Sequence, residues 1–293
     1  MKLTKKQHVA ALSIISNTTL ICLKTIVGIM NGSVSIISEA IHSGMDLIAS
    51  LIAYLSVTIS GKPADESHPY GHGKIENISG VVEGLLIFIA AFLIIKEAIE
   101  RIIHPAPLEA TFWGIGVMLL SALANSIVAI KLYKTAKAED SVALEADALH
   151  LKTDVYTSLG VAFGLLIIKL TGIVILDSIV AILVALLIVR EAAHLVAFAF
   201  QPLLDGRLSK AEEQPIKETL EHFQFETKNN VRINYFKTRK SGSQRFVDFH
   251  LGLSPEITIK EGHEIAEGIR SELYSIYPDL QVHIHLEAYS HAE

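Results

Sequence analysis

The chain is short of cysteine, tryptophan and charge. Its 293 residues include one cysteine, Cys22, and one tryptophan, and charged residues make up only 19% of the total. A single cysteine excludes an intrachain disulfide and a metal cluster held by several thiolates. The low charge argues against an ordinary soluble domain of this length, since such domains carry about 25% charged residues. The composition therefore indicates a chain with much of its surface in an apolar medium.

Long apolar runs fill most of the first 200 residues. Hydrophobic residues account for 51% of the chain, and its mean hydropathy is +0.43. Six runs are long enough to cross about 30 Å of hydrocarbon as helices. They are predicted at residues 8–30, 34–59, 75–95, 112–132, 141–170 and 173–200. We expect no cleavable signal peptide, because the first run is longer than a signal-peptide core and lacks a small-residue cleavage site.

Lysine and arginine are unevenly distributed among the short loops between these runs. With the N-terminus inside, most of them fall on the cytoplasmic side. Positive residues in short loops are retained in the cytoplasm. We therefore expect a multi-pass protein of the cell inner (plasma) membrane whose N- and C-termini are both cytoplasmic.

Two of the apolar runs carry the same ionisable pair. The stretch SEAIHSGMD contains His42 and Asp46, and ALHLKTD contains His150 and Asp154. Residues four apart share one face of a helix, so each run presents one imidazole and one carboxylate in the same direction. A charged side chain at the bilayer centre disfavours insertion by about 2.5 to 3.5 kcal/mol and usually marks a functional site.

The two pairs together offer two nitrogen and two oxygen ligands. Four such ligands form a tetrahedral set that suits zinc. The simpler interpretation is that these polar side chains only join two helices through hydrogen bonds. The repetition of the spacing in two separate runs favours a metal site near the bilayer midplane, where alternating-access carriers bind their substrates.

The composition changes after Phe200, where charged residues become frequent. Hydrophobic periodicity predicts a helix at 211–223, strands at 231–238 and 245–253, a helix at 259–276 and a strand at 280–287. The order αββαβ predicts a three-stranded sheet covered on one face by two helices. The predicted fold is an α-helical membrane protein with six transmembrane helices, residues 1–205, followed by a small α+β cytoplasmic domain, residues 206–293.

A third motif, HPYGHGKIE at residues 68–76, joins the paired motifs and the αββαβ tail. In these features the chain resembles the cation diffusion facilitator family, which exports divalent metals in exchange for protons. The resemblance implies a homodimer of six-helix protomers, each with a metallochaperone-like cytoplasmic domain. It implies a transport site made of His42, Asp46, His150 and Asp154.

The loop between the second and third runs offers another set of ligands. The resemblance assigns a loop metal site to Asp65, His68 and His72. One carboxylate and two imidazoles within eight residues can hold zinc with one coordination position open. The alternative is a solvated loop whose glycines form a turn.

The tail contains a further histidine-rich set. Alternation along the last strand places His283, His285 and Glu287 on one face of the sheet, where they can converge with His250. The resemblance assigns a cytoplasmic metal site to His250, His263, His285 and Glu287. Asn234 stands where well-known relatives have histidine, which favours a single regulatory site shared at the dimer interface over a two-metal site. The alternative is a set of surface histidines that bind no metal.

The predicted function is secondary active transport. Two histidines and two aspartates suit Zn²⁺, whereas Mn²⁺ sites contain more oxygen ligands. We predict export of divalent metal cations from the cytoplasm in exchange for protons, with Zn²⁺ as substrate and regulatory ligand and with no cofactor. The alternatives are export of Fe²⁺, Mn²⁺, Co²⁺ or Cd²⁺, and a membrane metal sensor without transport. We predict no enzymatic activity and no nucleic-acid partner, because the sequence has no P-loop, dinucleotide fingerprint or nucleophile elbow.

Overall fold

The computed structural model describes residues 3–31, 34–104, 112–171, 175–226 and 231–288. The chain divides into two compact units, Met1–Phe200 and Gln201–Glu293. Within the described residues, the first unit contains six long α-helices, and the second contains two α-helices and three strands in the order αββαβ. The predicted combination of a six-helix domain and a small α+β domain is confirmed.

Each predicted apolar run forms one helix. The helices are α1 (Lys5–Asn31), α2 (Val34–Ser60), α3 (Lys74–Ile103), α4 (Phe112–Glu139), α5 (Val142–Thr171) and α6 (Ile175–Phe200). The predicted start of the sixth run, at 173, lies outside the described residues. The helices α3 and α4 continue well past the predicted ends at 95 and 132, because charged turns extend them beyond the apolar stretch. In α3, for example, Arg101 donates a hydrogen bond of 2.5 Å to Glu97 one turn away.

The six helices differ in how apolar they are. Among the described residues, α1, α3, α4 and α6 are long and apolar enough to cross a membrane, whereas α2 offers a shorter apolar stretch, Asp46–Ser60. The helix α3 has a mean hydropathy of 2.6 in its apolar window, the highest of the four.

The helix α5 lies at the centre of the membrane unit. It packs against α2, α3, α4 and α6, while α1 pairs with α2 and α3 pairs with α6. Two glycines of α3, one turn apart, allow the close approach of its neighbours. A Cβ atom on Gly80 would lie 2.8 Å from a methyl of Val142, and one on Gly84 would lie 2.5 Å from a methyl of Val196. Small residues at these points let helix backbones approach closely.

A buried carboxylate joins the N-terminal end of α3 to three other segments. Glu76 is 1% exposed, and its Oε1 accepts hydrogen bonds from Lys6 Nζ at 3.0 Å and Ser60 Oγ at 2.8 Å. Its Oε2 accepts a hydrogen bond of 2.5 Å from the hydroxyl of Ser141, the residue before α5. One side chain therefore links α1, α2, α3 and the start of α5.

The second unit forms a small sheet with two helices. Its elements are α7 (Lys210–Glu226), β1 (Val231–Ser241), β2 (Gln244–Leu253), α8 (Ile259–Ile276) and β3 (Gln281–Ala288). The sheet order is β1-β2-β3, with β1 antiparallel and β3 parallel to the central strand β2. The helix α8 begins with a capping box, in which the side chains of Thr258 and Glu261 each accept a hydrogen bond from the other residue's backbone N–H.

The side chains of the central strand alternate between the two faces of this sheet. Val247, Phe249 and Leu251 point into the hydrophobic core, where they join Ile269 and Leu273 of α8. Successive side chains of a strand point to opposite faces. Residues such as His250 therefore lie on the face that the helices do not cover.

The hydrogen bonds of Glu76 predict a large loss of stability when its carboxylate is removed. In Glu76→Gln the ammonium of Lys6 and two hydroxyls lose a buried charged acceptor, which should lower the free energy of unfolding by about 2–4 kcal/mol. The apparent melting temperature of the detergent-solubilised chain measures this loss. Glu145→Gln is the matched control, since it breaks the 2.7 Å pair with Lys137, whose side chain is 53% exposed. Equal melting temperatures for the two variants would contradict the prediction.

Candidate metal centres

Three side chains of the predicted transport site lie together between α2 and α5. Asp46 on α2 faces His150 and Asp154 on α5, and one ligand atom from each lies within 4.8 Å of the others. The closest contact joins His150 Nε2 to Asp46 Oδ1 at 3.1 Å. Asp46 and His150 are buried, and Asp154 is half-buried. The two motifs therefore meet as the spacing predicts.

The fourth predicted ligand, His42, belongs to the same helix as Asp46. It lies four residues earlier in α2, and its backbone therefore falls on the same side of that helix. Its side chain lies outside the described residues. Its role as a metal ligand stays a prediction from the spacing.

The histidine of this cluster retains an unused donor atom. Within the part of the chain that the structure describes, His150 Nδ1 is buried and has no hydrogen-bond partner. Burying a polar atom without a partner is unfavourable unless a ligand satisfies it. One imidazole and two carboxylates make a mixed nitrogen and oxygen set that suits a divalent transition metal.

A hydrogen-bonded group of small polar residues fixes the turn of α2 that carries Asp46. Asn17 Nδ2 on α1 donates to the Asp46 carbonyl at 3.3 Å and to Ser50 Oγ at 2.7 Å. The hydroxyl of Ser50 also lies 3.0 Å from the Asp46 carbonyl. Asn17 and Ser50 were not predicted as part of the site, although each is a polar residue within an apolar run of the sequence.

Two more carboxylates are buried near this site. Asp147 lies one turn before His150, and its Oδ1 lies 3.3 Å from the hydroxyls of Ser13 and Ser50. Glu83 on α3 accepts a 2.9 Å hydrogen bond from Ser79. The second oxygens of Asp147 and Glu83 have no hydrogen-bond partner among the described residues. The membrane unit thus holds more carboxylate groups than the transport motif alone requires.

The loop cluster is also assembled. Asp65 Oδ1 lies 3.3 Å from His68 Nδ1, Asp65 Oδ2 lies 3.4 Å from His72 Nε2, and the imidazole rings have centroids 4.4 Å apart. Hydrogen bonds from the side chain of Ser67 and the backbone N–H of His68 lower the pKa of Asp65 to about 2. This carboxylate is therefore ionised at neutral pH, as a metal ligand must be.

The tail cluster lies on the sheet face opposite the helices. His250 on β2 pairs in register with His285 on β3, and Gly252 pairs with Glu287. The register places His250 Nδ1 3.1 Å from Glu287 Oε2 and brings the centroids of the two imidazole rings within 4.7 Å. One ligand atom from each of His250, His285 and Glu287 lies within 4.8 Å of the others.

One predicted member of the tail site, His263, and the neighbouring His283 lie apart from this cluster. His263 is exposed on α8, and α8 packs on the other face of the sheet, so the structure does not bring it to His250 within one chain. His283 shares the histidine face, but its Nδ1 faces Asp248 Oδ1 at 3.5 Å. Helical periodicity could not predict which sheet face α8 covers.

The separation of the three clusters predicts additive metal binding. They share no residue, so the purified chain should bind three zinc ions per protomer. His72→Ala, Asp154→Ala and His250→Ala should each remove one ion, because a zinc site that loses one of its few protein ligands binds weakly. Equilibrium dialysis with elemental analysis measures the ratio. His283→Ala is the control and should leave it unchanged, whereas the loss of two ions from one substitution would contradict independent sites.

Comparison with known proteins agrees with a helical membrane domain followed by a small α+β domain. Residues 10–204 match the cation efflux transmembrane domain, and residues 208–289 match the cation efflux protein cytoplasmic domain. The chain is 33% identical over 258 residues to an uncharacterized transporter from Synechocystis. This alignment covers 88% of this chain and 82% of the transporter. It is 30% identical over 290 residues to the manganese efflux system protein MneP from Bacillus subtilis, covering 97% and 96%, respectively. It is 28% identical over 273 residues to the cation-efflux pump FieF from Shewanella oneidensis, covering 93% and 90%. The chain therefore belongs to the cation diffusion facilitator family, whose members are multi-pass membrane transporters of divalent metals and not enzymes.

Proposed function

We propose that this transporter exports Zn²⁺ from the cytoplasm in exchange for protons. The observation that carries the proposal is the cluster of Asp46, His150 and Asp154 between two helices of the membrane unit, in which Asp46 and His150 are buried. Ionisable residues in such segments are rare and usually mark an ion pathway. With His42 as the fourth ligand, the site would hold its substrate through two nitrogens and two oxygens.

The nitrogen ligands support zinc over harder cations. Imidazole suits zinc, copper, iron and nickel, whereas manganese and magnesium sites are richer in oxygen ligands. The same four ligands can also accept Fe²⁺, Co²⁺ or Cd²⁺. Manganese is the second candidate substrate, because the relative MneP is named as a manganese efflux protein. Two carboxylates at the site would give Mn²⁺ part of the oxygen set that it prefers.

Proton exchange follows from the chemistry of these ligands. A proton on His150 Nε2 would lie between the imidazole and Asp46 Oδ1, 3.1 Å away. Metal ligands must be deprotonated, so metal binding expels such protons and their return expels the metal. Histidine makes this competition sensitive near physiological pH. An inward proton gradient would then drive metal outward.

The other two clusters would act outside the transport step. The loop cluster would collect metal at the membrane surface, and the tail cluster would bind Zn²⁺ as a regulatory ligand. We propose that the protein works as a homodimer in the plasma membrane with both termini in the cytoplasm. Metal binding to the tails would favour one arrangement of the two soluble domains, and hence one state of the transporter, through a population shift.

Zinc uptake into proteoliposomes that enclose a pH-sensitive dye tests the proposed function. A proton-coupled carrier moves protons opposite to zinc and stops when the proton gradient is removed. Zinc flux without obligatory proton movement would indicate a channel. Zinc binding without any flux would indicate a sensor and would overturn the proposal.

The transport cluster predicts that Asp154→Ala abolishes zinc flux. Loss of one of four ligands should reduce transport more than about a hundredfold, since removing even an outer-shell partner often costs 10–100-fold in metal affinity. The variant should remain a folded dimer by size-exclusion chromatography. Glu139→Ala is the matched control, since Glu139 pairs at 3.4 Å with Lys5, whose side chain is 64% exposed. Normal flux through Asp154→Ala would remove this residue from the site.

The position of His42 predicts a change in selectivity. In His42→Asp the ligand set gains an oxygen and loses a nitrogen, which favours harder cations. We expect the uptake of manganese and iron to rise relative to the uptake of zinc. This change in ranking should be larger than the fall in zinc flux itself. Competitive uptake of the three metals by wild-type and variant vesicles measures the ranking. If His42 only supports Asp46, all fluxes fall together and the ranking stays unchanged.

A further inference from the structure

Tyr235 in β1 adopts a backbone conformation that is unusual for an aromatic residue. Its φ angle is +54°, and among the described non-glycine residues only Asp140 and Asp205 also have positive φ. Aspartate is several-fold enriched in this left-handed region, but a bulky side chain there is an outlier. Such strain persists only where surrounding contacts hold it, and it is concentrated at functional sites.

A β-bulge produces this conformation. Asn234 pairs with His250, and the next pair joins Lys237 to Asp248, so β1 uses one residue more than β2 between the two pairs. A bulge of this kind re-aims a side chain. Phe236 packs against the hydrophobic core, and the extra residue, Tyr235, is directed to the histidine face instead.

The ring of Tyr235 lies against His250. Their ring centroids are 4.6 Å apart and the planes are inclined by 32°. On the other flank, His285 of β3 has its ring centroid 4.7 Å from that of His250. Because β2 lies between β1 and β3, His250 is held between two aromatic rings while its Nδ1 faces Glu287 Oε2 at 3.1 Å. The contacts fix the imidazole on three sides.

We propose that Tyr235 is a positioning residue of the tail metal site, where its ring holds the His250 imidazole ready for metal. The inference rests on the proposed binding of zinc by His250, His285 and Glu287. Tyr235 is 68% exposed, and its hydroxyl has no part in this role. The residue acts through the ring alone, and the strained backbone is the means by which β1 presents that ring.

The strain makes the proposal separable from an ordinary structural role. Asparagine adopts positive φ readily, so Tyr235→Asn relieves the backbone and deletes the ring together. A ring that served only to stabilise the sheet would leave β2 less protected when removed. A ring that positions His250 would leave β2 at least as well protected, while zinc binding weakens. Zinc affinity should thus fall without a loss of protection in β2.

Zinc titration of the full chain tests this directly. The background carries His72→Ala and Asp154→Ala, so the tail cluster is the remaining candidate site, and zinc chloride is titrated by calorimetry in detergent. Tyr235→Asn should weaken the remaining site about fivefold, the size expected for one aromatic contact. Tyr235→Phe, which keeps the ring, should bind like the parent. Tyr274→Asn is the matched control, because that tyrosine is 41% exposed on α8.

Hydrogen exchange of β2 in the metal-free chain supplies the second readout. Mass spectrometry should find its amides exchanging no faster in Tyr235→Asn than in the parent. Unchanged zinc affinity, or weaker affinity accompanied by faster exchange, would overturn the role of Tyr235. Equal weakening by Tyr235→Phe would also overturn it, because the hydroxyl would then be required. If the parent binds no zinc and His250→Ala changes nothing, the proposed tail site itself fails.

Discussion

The membrane unit is organised around the burial of carboxylates. Asp46, Asp147 and Glu83 are buried inside the helices of this unit. Ionised groups are unfavourable in such surroundings unless a cation, a proton or hydrogen-bond donors neutralise them. Part of this need is met by the hydroxyls of Ser13, Ser50 and Ser79. The remaining acceptor positions suit a divalent substrate cation.

The same constraint explains which features the sequence could predict. Two histidine–aspartate pairs in apolar runs each need a partner, and helical geometry directs each pair to one side, so the meeting of Asp46 with His150 and Asp154 followed from spacing alone. The alternation of β3 likewise predicted that His285 and Glu287 share a face with His250. The loop cluster spans eight residues and needs little tertiary information. Local periodicity and the chemistry of the ligands were therefore sufficient to predict these contacts from the sequence.

Other features depend on packing that local pattern does not contain. The hydrogen bond from Ser141 to Glu76 joins residues 65 positions apart, and it requires knowledge of which helix ends meet. His263 could not be separated from the tail site until α8 was known to cover the opposite sheet face. The bulge at Tyr235 shifts the pairing of β1 by one residue, and no glycine marks it in the sequence. These three features depend on which helices are neighbours and on the register of the strands. The periodicity of the sequence does not contain that information.

The most direct test of a transition-metal site between α2 and α5 is X-ray absorption at the zinc edge. The sample is the purified chain with His72→Ala and His250→Ala, loaded with one equivalent of zinc, so that the remaining cluster holds the metal. The account predicts imidazole nitrogen and carboxylate oxygen at about 2.0–2.2 Å, with the scattering pattern of histidine rings. A spectrum of oxygen ligands without imidazole, or the absence of bound zinc, would contradict it.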